Sequence, residues 1–424
     1  MSVTSSDPKA PPSGAADPPR VFRIGLLGHG TVGSAFASLL PAHAERIERL
    51  TGLRPELSGV MTRRSGSFDE LLEGSDLIVE LMGGIDPTRD YLLRAMRAGR
   101  HIVTANKQLL SQHGEELWDV ARSCGVQLRF EGAVAGVVPV IRVLTESLAG
   151  ATIERVHGIV NGTTNFILTE MARTGMTFEE ALAEAQRLGY AEADPAEDVD
   201  GRDAAAKMAI LARLAFDTPV HLDQVRYEGI EHIQPDDLAY ADELGLVLKL
   251  IGTAERIGPG LSVRVHPAFL YPQHPLASVS GPFNAVTVES EAITEITMSG
   301  PGAGGPQTAS AVLGDVISAM IPPASTPPTS RVLEIVADVV SAFYLHLEVA
   351  DEPGVLAAVA QVLAEQDVSV KSVVQRGLGE QARLVMVVHP VLESRFSSAM
   401  AELARLEVLR APPRAIRVIE EQFG

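Results

Sequence analysis

"VFRIGLLGHGTVGSAFASLL" occupies Val21–Leu40. Its apolar opening, Val21–Leu27, reads as a strand, and the segment from about Thr31 reads as a helix. Between them Gly28, Gly30 and Gly33 fall in the order G-x-G-x-x-G. Alone that spacing is weak. Between a strand and a helix it is a dinucleotide fingerprint, because the glycines let the backbone approach a pyrophosphate at the helix N-terminus. Thr31 and Val32, in the first helical turn, belong to the same candidate site.

Reading outward, strands and helices alternate. "ELSGVM", "SDLIVELMGG", "HIVTA" and "GVQLRFEGAV" read as strands, and "SFDELLEG", about Pro87–Ala98 and Lys107–Arg122 as helices. This order predicts a Rossmann-like, doubly wound parallel sheet over 21–145. The second strand runs into Thr62, Arg63 and Arg64, with no acid for a ribose hydroxyl. Arg63 therefore becomes a candidate for the 2′-phosphate of NADP; NAD, with a merely solvated arginine pair, stays open. Thr104 and Lys107 lie just past the end of "HIVTA", where ligands bind in such sheets.

The chain has 424 residues, 46% of them hydrophobic, and a net charge of −19. That charge argues against nucleic acid or an anionic membrane as partner. The single cysteine, Cys124, excludes an internal disulfide and any multi-cysteine metal site. "MSVTSSDPKAPPSGAADPPR" lacks an apolar core and reads as a disordered leader (1–20) rather than a signal peptide. No run of about 18 apolar residues appears. A cytoplasmic location is expected.

Of 35 basic residues only five are lysines: Lys9, Lys107, Lys207, Lys249 and Lys371. Where arginine serves as the ordinary cation, a surviving lysine is a candidate for proton transfer, which arginine cannot do at neutral pH. Two of the five flank chemistry. "GYAEADPAEDVDGRDAAAK" (Gly189–Lys207) crowds Glu192, Asp194, Glu197, Asp198, Asp200 and Asp203 against Arg202 and Lys207. A solvated surface pair of Asp203 with Lys207, four residues apart on one helix face, is one reading. A divalent-metal cage is another, though the D-x-D-x-D-G loop order is absent. A pocket for a cationic substrate, with Lys207 as general acid, fits best.

Beyond 145 the pattern becomes α+β: "TIERVHGIV" as a strand, "TFEEALAEAQRLG" as a helix with a Thr177–Glu180 capping box, Asp203–Phe216 as a helix, and several strands from Leu246 to Met298. A helix from about 306 to 320 is expected to return to the nucleotide domain, leaving 146–305 as the catalytic and dimerisation domain. A Pro-rich linker (321–340) precedes a βαββαβ, ferredoxin-like unit over 341–424.

Together "GLLGHGTVG", "ELMGGI", "HIVTANKQLL", "FEGAVAGVVPVI", "GIVNGTTNFILTEM", "LGYAEADPAEDVDGRDAAAKMAILA", "NAVTV" and "GPGAGGPQTASAVLGD" resemble the bacterial homoserine dehydrogenase family over about 21–320. "FYLHLEVADEPGVLAAVAQVLAEQDVSVKSVVQ" resembles an ACT domain, and no aspartate kinase segment is present, as in the monofunctional type. The resemblance implies reduction of L-aspartate 4-semialdehyde to L-homoserine with NADPH or NADH. It implies Lys207 as proton donor with Lys107 beside it, and Glu192, Asp198 and Asp203 around the amino-acid end of the substrate. Gly189 and Gly302 match glycines on the nicotinamide side. Glu131, Val134, Gly136 and Val138 match a family site for a monovalent cation, sodium. It further implies a homodimer or homotetramer, and an amino-acid effector, threonine, at the ACT domain. A catalytically silent binding regulator and a reductase of another amino-aldehyde remain as alternatives.

Overall fold

The structure, a computed structural model, describes residues 20–321, 334–376 and 382–419. The expected leader, Arg20 apart, and most of the expected linker lie outside the described residues.

Strand β1 (Arg20–Leu27) enters helix α1 (Thr31–Thr51), followed by β2 (Leu53–Met61), α2 (Phe68–Gly74), β3 (Leu77–Glu80), α3 (Thr88–Arg97), β4 (His101–Thr104), α4 (Lys107–Cys124) and β5 (Leu128–Arg129). The five strands form one parallel sheet in the order β2-β1-β3-β4-β5. Every residue of "LIVE" in β3 is buried, as expected of a strand covered on both faces. A Cβ on Gly33 would lie 2.2 Å from the Gly28 carbonyl oxygen, so only glycine lets α1 start this close to the loop.

The last strand of this sheet is shorter than "GVQLRFEGAV" predicts. After Arg129 the chain leaves the sheet for a 3₁₀ turn, Glu131–Ala133. The reason is local: the Glu131 amide donates to Asp315 Oδ2 at 2.6 Å, while its carboxylate accepts from the Ile141 and Arg142 amides at 2.8 and 2.9 Å.

Next come α5 (Val140–Arg142), which continues as a π-helical turn, β6 (Arg155–Ile159), α6 (Gly162–Thr174), α7 (Phe178–Leu188), α8 (Ala196–Val199) and α9 (Arg202–Phe216). The Thr177–Glu180 capping box starts α7. Then follow β7 (Arg226–Tyr227), α10 (Pro235–Glu243), β8 (Val247–Ile257), β9 (Gly260–Leu270), β10 (Phe283–Ser290), β11 (Thr294–Pro301) and α11 (Gly305–Ala319). Helix α11 packs along α1, bringing Gly305 against Thr31.

The C-terminal unit comprises β13 (Val340–Glu348), α12 (Val355–Glu365), β14 (Val370–Arg376), β15 (Arg383–Leu392), α13 (Glu393–Leu403) and β16 (Arg414–Ile419), after a two-residue β12 (Glu334–Ile335). It has the expected βαββαβ order, but it is not a separate bead. Its sheet is continuous with that of the middle region, in the order β11-β10-β6-β8-β9-β16-β13-β15-β14. Strand β16 pairs in parallel with Ala268–Leu270 of β9, while β7 and β12 fill the rest of that edge. The two faces of the C-terminal sheet divide the work. Phe343, Leu345 and Leu347 pack under α12 and α13, whereas Tyr344, Val385, Val387, Ile416 and Val418 join the main core.

Candidate active site

Helix α9 starts after Gly201 and carries Asp203 and Lys207 one turn apart. Asp203 is buried, its side chain only 1% exposed. Its Oδ2 accepts from Lys207 Nζ at 2.7 Å, and its Oδ1 accepts from Lys107 Nζ. The second lysine arrives from the nucleotide sheet, at the first residue of α4, which Asn106 caps through Leu109 N at 3.0 Å. One carboxylate thus bridges two lysines at the edge where the two domains meet. Burial alone would raise the Asp203 pKa; the two ammonium groups overcome it and hold the carboxyl well below its usual range. For Lys107 burial likewise opposes the charge, but Asp203, with Asp198 and Glu197 behind it, raises the pKa. Asp198 moves upward, through burial and the nearby Asp203 charge.

Asn161 organises this cluster. Its Nδ2 donates to Asp198 Oδ1 at 2.7 Å and to Asp203 Oδ2 at 2.8 Å, while its Oδ1 caps α6 through Thr164 N at 2.9 Å. The preceding residue supplies a further anchor: Lys207 Nζ donates to the Val160 carbonyl at 2.7 Å. The lysine is left with one proton not committed to protein, and its side chain is 13% exposed.

Not every predicted residue joins the cluster. The Glu192 side chain is exposed and makes no hydrogen bond or ion pair among the described residues; its carbonyl accepts from Gln186 Nε2 at 3.1 Å. Gly189 ends α7 with φ 80° and turns the chain into the acidic loop. Glu197 is engaged by Gln108 Nε2 at 3.2 Å, and Asp194 and Asp200 by nearby backbone amides, so those three acids serve the loop. Thr104 is fully buried and donates to Glu80 Oε2 at 2.6 Å; Glu80 Oε1 accepts the Met82 and Gly83 amides at 2.7 and 3.0 Å. This ties together the ends of β3 and β4.

At the glycine loop, α1 begins at Gly30 without a side-chain cap, and nothing lies within 4 Å of a Cβ built there. Open space before uncapped amides of a 21-residue helix suits an anion. Arg63 and Arg64 sit on an exposed turn closed by Thr62 N to Ser65 O at 2.8 Å, and neither guanidinium has a partner among the described residues. Met61, just before that turn, accepts the Gly28 amide at 2.8 Å, so the arginines flank the glycine loop.

The remaining predicted residues form a second loop. Ala135 and Gly136 are both left-handed, with φ 58° and 64°. A Cβ on Gly136 would lie 2.4 Å from the Gly302 carbonyl oxygen, so this loop touches the glycine-rich entry to α11. The Val134 and Gly136 carbonyls accept no hydrogen bond among the described residues, although both residues are buried. The Glu131 carboxylate faces α5 instead, with its pKa pushed up to about 7 chiefly by burial. Among the described residues no group of three or more His, Cys, Asp or Glu could hold a metal ion, and no helix is long and apolar enough to cross a membrane.

Comparison with known proteins agrees with this geometry. Residues 28–131 match the model of the homoserine dehydrogenase NAD binding domain, 139–317 that of homoserine dehydrogenase, and 343–408 that of the ACT domain. The chain is 41% identical to the homoserine dehydrogenase of Corynebacterium glutamicum, over 93% of this chain and 95% of that one. The chain belongs to the homoserine dehydrogenase family. It is thus an NAD(P)-dependent oxidoreductase. A solved homoserine dehydrogenase from Thiobacillus denitrificans superposes with a TM-score of 0.91 at 35% identity, covering 95% of this chain and 99% of that one. A hyperthermophilic archaeal homoserine dehydrogenase in complex with NADPH covers 72% of this chain and all of its own, with a TM-score of 0.63 at 27% identity. These likenesses do not favour the silent regulator or the reductase of another amino-aldehyde.

Asn161 and Glu80 escaped sequence reading. Both lie in stretches that carried the resemblance, "GIVNGTTNF" and "ELMGGI", but an asparagine or a lone acid has no spacing that announces its role.

Proposed function

We propose that this chain interconverts L-aspartate 4-semialdehyde and L-homoserine with NADP(H), serving threonine, methionine and isoleucine biosynthesis in the cytoplasm, with Lys207 as the proton donor. The observation that carries the reading is Asp203 shared between Lys207 and Lys107. The glycine loop would hold the cofactor, which would supply the hydride taken up by the aldehyde carbon. The archaeal relative bound to NADPH and the unpaired Arg63 and Arg64 support NADP over NAD.

Lys207 is fixed by Asp203 and the Val160 carbonyl, so its remaining proton has a set direction toward a carbonyl oxygen in the cleft. As charge develops on that oxygen, the ammonium stabilises it and then transfers the proton. In the reverse direction the neutral amine accepts the proton from the alcohol. Asp203 already serves two lysines and Asn161, so its acceptor capacity is largely spent. Asp198, whose Oδ2 takes no protein hydrogen bond, and the exposed Glu192 are the acids left for the substrate ammonium. Lys107 supplies a second positive charge for the carboxylate or carbonyl.

We assign the cofactor to 21–145 with α11, catalysis to 146–305, and effector sensing to the ACT unit at 341–424. Uncapped amides after Gly354 at the start of α12 offer a place for an effector carboxylate, threonine being the first to try. Two free buried carbonyls, Val134 and Gly136, fit a monovalent cation such as sodium, with Glu131 and Val138 contributing main-chain oxygens. A homodimer or homotetramer completes the proposal, to be checked by light scattering. The deciding assay is NADPH oxidation on adding L-aspartate 4-semialdehyde. No turnover, or faster turnover of a homologous amino-aldehyde, would reject the assignment.

A further inference from the structure

A cavity of about 290 Å³ lies where the C-terminal unit meets the middle of the chain. Its walls include Arg226 and Glu228 from the β7 region, Arg264 and His266 from β9, and Glu393 and Arg417 from the C-terminal unit. Arg417 pairs with Glu393 and Glu228, but the side chains of β7 and β9 are left incompletely satisfied. Arg226 and Arg264 are direct neighbours in the parallel pairing of β7 with β9, a placement of like charges that Glu255 offsets on Arg264 alone by an ion pair. Arg264 is held by Glu255 and Ser262, but its Nε has no partner, and Arg226 has no hydrogen-bond partner among the described residues. His266 is 4% exposed, and its Nδ1 lies 3.2 Å from the Pro267 carbonyl. With the proton on Nδ1 for that bond, the buried Nε2 is a bare acceptor, and it has no partner. Among the described residues the cavity therefore holds a guanidinium without a hydrogen-bond partner, an unpartnered Arg264 Nε and a buried histidine acceptor without a donor, while Glu228 is shared with Arg417 and His232.

We propose that this seam cavity binds a free amino acid, its carboxylate on Arg226 and Arg264 and its ammonium toward Glu228 and His266. The proposal rests on the reading of the ACT unit as an amino-acid sensor, and moves the sensing site from the turn at Pro353–Gly354 to the seam. The volume suits a small amino acid with a few waters.

The position explains how binding would reach the chemistry. Arg417 donates to both oxygens of Glu393 at 2.9 and 3.0 Å, and to Glu228 at 2.9 Å. The backbone beside Glu228 is wedged against the start of α9. Ile230 N donates to the Val199 carbonyl at 2.9 Å, and a Cβ on Gly229 would lie 2.1 Å from that carbonyl. Asp203 and Lys207 follow within two turns. An amino acid competing for Glu228 would thus act on the segment that positions the catalytic helix.

The test is calorimetric titration of the full-length enzyme with each of the twenty protein amino acids, alongside inhibition measured relative to each variant's own uninhibited rate. Arg226→Glu and His266→Leu should each weaken the amino acid that binds wild type at least tenfold, while Leu356→Asp, beside the turn at Gly354, should not. If an amino acid binds wild type and both seam variants equally, the seam assignment is overturned and the sensor reading stands. If none binds wild type at millimolar concentration, both fall.

Discussion

Asp203 and Asp237 are buried to the same degree, with side chains 1% and 2% exposed, and each holds two basic partners. Asp203 binds Lys107 and Lys207, whose side chains are 33% and 13% exposed. Asp237, on α10, binds His346 at 3.1 Å and Arg414 at 3.0 Å, both from the C-terminal unit, and the His346 side chain is fully buried. The difference lies in what the partners can do. Two primary amines facing a cleft can exchange protons with a substrate; a guanidinium and a shielded imidazole fasten one element to another. The same motif, a buried acid with two bases, is the proposed active centre in one place and a rivet in the other.

The largest effect should come from the proton itself. Lys207→Arg keeps the charge but cannot give up a proton, so kcat should fall roughly 10²–10⁴-fold with substrate KM little changed. Near-normal turnover in the variant would make Lys207 an electrostatic anchor only. At the rivet the outcome should invert. Asp237→Asn leaves Arg414 without its buried acid and should cost about 3 kcal/mol of stability, with kcat nearly intact. Loss of turnover without loss of stability would erase the distinction between the two sites.

Both sites draw on residues far apart in sequence, and this set what could be read in advance. The glycine loop, the Thr177 capping box and the Asp203–Lys207 pair are short-range patterns, complete within a few residues. The Lys107–Asp203 bridge joins residues 96 positions apart, and it exists only because the chain leaving β4 and the start of α9 come to the same edge. The βαββαβ order was legible from periodicity. The fusion of β16 to β9 was not, because one strand edge looks like another until its partner is known. For the same reason the C-terminal unit does not detach cleanly: removing it would bare β9 and the part of the main core against which Tyr344, Ile416 and Val418 pack.

A further basic residue sharpens the contrast, because no acid pairs with it among the described residues. Lys249 on β8 is 2% exposed and, among the described residues, donates to Val279 O and Asn165 Oδ1 alone, at 2.5 and 3.2 Å. Burial pushes its pKa down to about 8. A lysine depressed on folding means that the unfolded chain binds more protons between about pH 8 and 10.5, so stability rises with pH across that window. Below it the cost of burying the charge is constant. Lys249→Met should therefore gain most relative to wild type at pH 8, and lose roughly 2 kcal/mol of that advantage by pH 9.5. Denaturant melts at both pH values measure it, and a pH-independent difference would mean that the amine stays charged in the fold.

The fourth combination is the cation without an acid and without burial, at Arg63 and Arg64. Exposed guanidiniums on a tight turn beside the glycine loop contribute little to folding, so replacing them should leave the melting temperature unchanged. Their value is for a ligand that brings its own negative charge. NADPH carries a 2′-phosphate and NADH does not. Arg63→Ala together with Arg64→Ala should raise the KM for NADPH about tenfold, the size of one or two exposed charge-assisted hydrogen bonds, and leave that for NADH within about twofold. An equal rise for both cofactors would show that the arginines steer any nucleotide by charge, and no change for either would return them to solvent.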